Sequence, residues 1–158
     1  MTARRLLAAG LAIGVALLNF AIEHFLAAAR GSLVLVPGFL DYSPTLNHGV
    51  SFGLFRQNGE VGRLVLMAVL AVVAAFVGLM AWRSVNRLQA AGYGLVVGGA
   101  LGNLADRALG GAVFDYLFLH LGQISLFVFN FSDAAISAGA LLVAADALLS
   151  SQGAATDS

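Results

Sequence analysis

Residues 98–133 read GGALGNLADRALGGAVFDYLFLHLGQISLFVFNFSD. Asp106, Arg107, Asp115 and Asp133 stand there among strongly apolar segments, where an ionised carboxylate is costly and marks a functional site by default. This stretch is taken as the candidate site, and the rest of the chain has to explain how two carboxylates are held together in it.

Around it lies a chain of 158 residues, 60% hydrophobic and only 10% charged, with a mean hydropathy of +0.92. Soluble domains carry roughly 25% charged residues, so the composition is that of a membrane protein. Eight arginines balance eight acidic residues, and the formal net charge of zero gives nucleic-acid binding no support. With no cysteine, the chain forms no disulfide, carries no thiolate nucleophile and offers no Cys-ligated metal site. Arg4 and Arg5 precede an apolar run ending in Ala27-Ala28-Ala29, which imitates a cleavable leader. The run from 6 to 26 is too long for a leader's apolar region and contains Asn19 and Glu23, so it reads as a retained membrane helix.

Four apolar segments, about 6–26, 64–82, 88–107 and 126–149, approach the roughly 20 residues needed to cross a bilayer. Arg4 and Arg5 before the first segment, and Arg83 and Arg87 between the second and third, fall on one side of such a bundle. The positive-inside rule makes that side the cytoplasm, with both termini on it. The loop from about 30 to 62 then lies outside. Its short, turn-punctuated apolar runs suit small strands that rest at the interface or pack on the bundle. The expected fold is an all-α membrane protein, four transmembrane helices in one domain over 1–150, with a small extracytoplasmic β-cradle between helices 1 and 2. Residues 151–158 are expected to form a disordered cytoplasmic tail.

In the third segment Gly94, Gly98 and Gly102 recur every four residues and present one face for close helix packing. A dinucleotide fingerprint through Gly92, Gly94 and Gly98 fails on spacing and on the lack of a preceding strand. Asn103, Asp106 and Arg107 share the last turns, which Gly110 and Gly111 end. Asp115, just past that helix, and Asp133, about two turns into the next, are thereby expected at similar depth near the outer face. Asn130, Asp133 and Ser137 fall on one stripe of the fourth segment. That stripe should face the bundle, since a carboxylate facing lipid costs roughly 2.5 to 3.5 kcal/mol.

Two carboxylates converging at low dielectric cannot both ionise comfortably, so one holds a proton while the other stays charged. That split supplies a general base to activate water and a general acid for the carbonyl oxygen or leaving amine, as in aspartic proteases. Arg107, Asn103 and Asn130 are placed to orient the pair and stabilise developing charge. Asp106 reads as structural, paired with Arg107 or capping the helix. His24, His48 and His120 show no metal-ligand spacing, and Asp146 lies too far along the fourth helix to join the cluster. Read from the residues alone, a proton or cation transporter subunit with Glu23, Asp106, Asp115 and Asp133 as a relay is also open.

The combination GGALGNLADRALGGAVFDY with FNFSDAAISAGALLVAADALL resembles the lipoprotein signal peptidase (signal peptidase II) family, with its Gly-Asn-x-x-Asp-Arg, Val-x-Asp-Phe and Phe-Asn-x-x-Asp-Ser patterns. VPGFLDYSPTLNHGVSFGLF is similar to that family's Pro-Gly, strand and Asn-x-Gly-x-x-Phe. The resemblance implies catalytic aspartates at Asp115 and Asp133, with Asn47, Gly49, Asn103, Arg107 and Asn130 binding substrate or orienting the site. It implies no metal and no cofactor. The implied substrate is a diacylglyceryl-modified prolipoprotein cut N-terminal to the lipidated cysteine by a monomer in the bacterial inner membrane, among membrane lipids. Two departures accompany it: Asn19 and Glu23 stand where the family has an Asp-Gln-x-Thr-Lys type of sequence, and Ser132-Asp133-Ala134 where it favours Ala-Asp-Ser. A catalytically inactive relative that binds lipopeptides is the corresponding alternative.

Overall fold

The computed structural model describes residues 1–29, 31–49 and 59–156; residues 50–58 of the outer loop, with the Phe of the Asn-x-Gly-x-x-Phe motif, lie outside them. Among the described residues four helices, α1 (Ala3–Leu26), α2 (Glu60–Arg83), α3 (Arg87–Gly110) and α4 (Phe131–Thr156), alternate with two pairs of strands. β1 (Leu33–Val36) and β2 (Leu40–Asn47) follow α1, whereas β3 (Val113–Leu121) and β4 (Ile124–Phe129) join α3 to α4. α4 continues to Thr156, past the boundary at 151 expected for the tail.

Local chemistry sets the helix ends. Thr2 caps α1 by accepting from Arg5 N, and Asn86 caps α3 by accepting from Gln89 N at 2.8 Å. α3 stops where Gly111 takes a left-handed φ of 81° and returns its N–H to Arg107 O, a conformation that only glycine adopts cheaply.

α3 is the centre of the bundle and packs on α1, α2 and α4. The expected glycine face is present: a Cβ at Gly98 would stand 2.7 Å from Ala12 O, so α1 lies backbone to backbone against it. A second glycine face is turned to α4, where a Cβ at Gly99 would stand 2.4 Å from Ser132 O. α1, α2 and α4 are long and apolar enough to cross a membrane. α3 falls short of that apolarity, as the helix enclosed by the others and rich in glycine and polar side chains can. Large apolar residues cover the outside, Leu17 at 64% and Val72 at 69% exposed, a surface suited to lipid.

The sheet corrects the expected fold. Among the described residues it has four antiparallel strands in the order β1-β2-β3-β4, of which two come from the loop between α1 and α2. The other two come from residues expected to be a short link and the start of the fourth span. A short, mostly apolar run such as ISLFVF fits a buried helix as well as a strand. Tertiary pairing decides here, with Leu117 opposite Phe129 and Leu119 opposite Phe127. α4 therefore starts at Phe131 rather than about 126, Asp133 lies in its first turn rather than two turns in, and Asn130 precedes the helix instead of sharing its stripe.

Candidate active site

Asp115 lies near the start of β3, opposite Thr45 of β2, and is 2% exposed. Two amides hold its carboxyl: Asn47 Nδ2, from the end of β2, donates to Oδ2 at 2.9 Å, and Asn130 Nδ2 donates to Oδ1 at 3.0 Å. Asp133 is held in a parallel way. Asn103 Nδ2 of α3 donates to its Oδ1 at 2.8 Å, and Asn130 N approaches its Oδ2 at 3.4 Å.

Asn130 joins the two halves. Its Oδ1 accepts from Asp133 N at 2.9 Å, the N-cap bond, and with the return bond from Asn130 N this closes a capping box. Its Nδ2 also reaches Asn103 Oδ1 at 3.1 Å. A continuous chain of side chains thus runs from Asp115 through Asn130 and Asn103 to Asp133.

Arg107, 5% exposed, fixes the rim of this network. Its guanidinium donates to Asn103 O at 3.0 Å and to Gly49 O, while Gly49 N donates to Asn47 Oδ1 at 3.0 Å. One cation thereby locks the turn that aims Asn47 at Asp115. Among the described residues its Nε has no partner. Burial pushes the Asp115 carboxyl up to about 7; the neighbouring Asp133 charge adds to the rise, while the Asn47 hydrogen bond and the Arg107 guanidinium oppose it.

A cavity of about 290 Å³ opens beside the network. Asn47, Asn103, Arg107 and Asp133 form its polar end, and Leu70, Val73 and Val77 of α2 face Ile136 of α4 along its apolar walls. The hydrogen-bond network joins Asp115, Asp133, Asn47, Gly49, Asn103, Arg107 and Asn130, the seven candidate site residues, and four of them, Asn47, Asn103, Arg107 and Asp133, line the cavity.

Asp106 does not join them. It lines a separate cavity together with Glu23 of α1. His120 pairs with Asp41 at 3.3 Å on the sheet, and Asp146 accepts from Asn86 at 2.6 Å and Gln89 at 2.7 Å, tying α4 to the start of α3. Among the described residues no group of three or more His, Asp or Glu side chains is arranged to hold a metal. Sequence reasoning missed two participants, Asn19 and Tyr116, whose side chains bond to the first backbone amides of α4. The available signal was a polar residue inside a membrane segment in one case and a phenol beside a candidate aspartate in the other.

The model of the signal peptidase (SPase) II family matches residues 9–149. The chain belongs to the signal peptidase II family. A protein of Methylorubrum extorquens described as a lipoprotein signal peptidase is 51% identical over 112 residues, 70% of this chain and 64% of that protein's length. A Beijerinckia indica protein with the same description is 40% identical over 131 residues, 83% of this chain and 78% of the relative. A solved bacterial membrane enzyme shares the fold with a TM-score of 0.74 at 20% identity, covering 92% of this chain and 90% of the other. The polar network described above lies wholly within the matched region.

Proposed function

We propose that this signal peptidase II family member is an aspartic endopeptidase that removes signal peptides from diacylglyceryl-modified prolipoproteins, with Asp115 and Asp133 as its catalytic pair. The observation that carries the reading is the convergence of both carboxyls on one amide chain, Asp115–Asn130–Asn103–Asp133, whose Asn103 and Asp133 end opens on an apolar-walled cavity. The names of the relatives support the substrate class.

In this reading Asp133, which lines the cavity, takes a proton from water as its oxygen attacks the scissile carbonyl carbon. Asp115, raised to about 7, gives its proton to the carbonyl oxygen. As the tetrahedral gem-diol collapses, Asp133 passes its proton to the leaving amine nitrogen, the C–N bond breaks, and a diol hydroxyl returns a proton to Asp115. Arg107 and Asn47 steady the intermediate's oxygens. The apolar walls from α2 and α4 suit the hydrophobic signal segment and its lipid.

All four helices are proposed to span the inner membrane, with both termini cytoplasmic and the site near the outer face. Support comes from the positive end: Arg4 donates to Val85 O and Arg5 to Trp82 O at 3.1 Å, which gathers the basic residues before α1 and after α2. A transporter relay has little to work with. Glu23, Asp106, Asp115 and Asp133 all lie at one end of the bundle, and Asp146 at the other end is occupied by Asn86 and Gln89.

The test is cleavage of a diacylglyceryl-modified prolipoprotein by detergent-purified protein. Wild type should release the signal peptide, and Asp115→Asn and Asp133→Asn should each reduce kcat by at least about 10³-fold. Substrate binding without cleavage in wild type would identify an inactive relative, and full activity in both variants would overturn the assignment of the pair.

A further inference from the structure

The first three backbone N–H groups of α4 have no intrahelical acceptor, as at any helix start. Here each is taken by a side chain. Phe131 N donates to Tyr116 Oη at 3.2 Å, Ser132 N to Asn19 Oδ1 at 3.3 Å, and Asp133 N to Asn130 Oδ1 at 2.9 Å. The three acceptors come from three places: the strand that carries Asp115, helix α1, and the cap residue itself.

We infer that Asn19 and Tyr116 are positioning residues that fix the first turn of α4 and so set where Asp133 stands relative to Asp115. Tyr116 follows Asp115 directly in β3 and is buried, so its hydroxyl ties the strand under one carboxyl to the helix under the other. Asn19, 1% exposed, reaches α4 from α1 beside Gly102 of the intervening α3. A Cβ at Gly102 would stand 2.3 Å from Ser132 Oγ and 3.3 Å from Asn19 Nδ2, so the glycine opens the passage. Asn19 Nδ2 is in turn held by Glu23 Oε1 at 2.8 Å, which orients Oδ1 toward Ser132. Burial pushes the Tyr116 phenol up to about 12, so it stays neutral and the tie holds across the working pH range.

The inference rests on the proposed catalytic pair and predicts that loosening this turn lowers kcat more than it weakens binding, because a misplacement of about 1 Å in a catalytic group can cost ~10²-fold. Tyr116→Phe removes one oxygen and keeps the ring, and Asn19→Leu removes both amide contacts at similar volume. In the full-length protein with a diacylglyceryl-modified prolipoprotein, each should lower kcat about 10- to 100-fold with KM changed less than about threefold. Asn19→Asp combined with Glu23→Gln rebuilds the geometry with donor and acceptor exchanged at the Asn19–Glu23 bond. It should return kcat to within about fivefold of wild type, the worth of one hydrogen bond.

Wild-type kcat in folded Tyr116→Phe would overturn the inference, as would an Asn19→Leu loss that the exchanged pair fails to restore. If Asn19→Leu does not fold, Tyr116→Phe and the exchanged pair still decide. Asp115→Asn and Asp133→Asn run alongside: their inactivity with full activity in Tyr116→Phe removes this inference alone, whereas their activity removes the catalytic pair.

Discussion

Asn130 Nδ2 donates to Asp115 Oδ1 at 3.0 Å, while Asn130 Oδ1 accepts from the backbone of Asp133 at 2.9 Å. One amide thus serves strand and helix at once, and its two roles can be separated by substitution. Asn130→Ala should lose the cap, at about 1 kcal/mol of stability, together with most activity. Asn130→Asp keeps a good capping acceptor but removes the donor to Asp115. It should recover most of the lost thermal stability in detergent while kcat stays depressed; equal recovery of both would show that the bond to Asp115 contributes nothing to turnover.

The Asp115 carboxyl is raised from an ordinary 3.8 to about 7 by burial. A raised folded value means that the folded state binds more protons than the unfolded chain between those limits. Its contribution to stability is fully present at low pH and is lost as pH rises through about 7. As the general acid it should also give kcat/KM an alkaline limb near pH 7. Rate measurements from pH 5 to 9 check this, and a flat profile would reassign the acid. Asp115→Asn should flatten the corresponding fall in thermal stability over the same range.

Arg107 holds Asn103 O and Gly49 O with one planar fork. Lysine keeps the charge but has no rigid fork, so Arg107→Lys should release the turn at Asn47 and lower kcat/KM about 10- to 100-fold. Steady-state kinetics on the folded variant decide the point, and near-normal kinetics would reduce Arg107 to a plain counter-charge.

Gly99→Ala would place a Cβ 2.4 Å from Ser132 O, so α4 must shift and carry Asp133 with it. Both thermal stability and kcat should fall. Gly10 of α1 has nothing within 4 Å of the same added atom, and Gly10→Ala should leave kcat unchanged while gaining about 0.5 to 1 kcal/mol from helix propensity. Matched thermal melts and cleavage assays compare the two.

Much of the site was legible because intramembrane charge is expensive. Asp115 and Asp133 stood out on that ground together with Asp106 and Arg107, topology set the first two at one depth with Asn103, Arg107 and Asn130 around them, and resemblance named them as the pair and added Asn47 and Gly49. The sheet was half legible: turns at Gly31, Pro37 and Gly38 marked β1 and β2, but the run 124–129 carries no period that distinguishes strand from helix. Asn19 was marked only as a departure from the family pattern and Tyr116 not at all; their tie to α4 stayed hidden because it ends on backbone amides.

The sequence by itself determined the apolar helices, the glycine face of α3, the gathering of positive charge at one end and the identity of the two costly carboxyls, since burial cost and helical period are local properties. Only the tertiary structure decided that Asp115 belongs to a strand, that Asn130 is shared between strand and helix, and that α1 reaches past α3 to α4. Those facts depend on contacts between residues far apart in the chain, such as Asn19 with Ser132 and Asn47 with Asp115. A hydrogen bond forms only when packing and strand register bring donor and acceptor within about 3 Å.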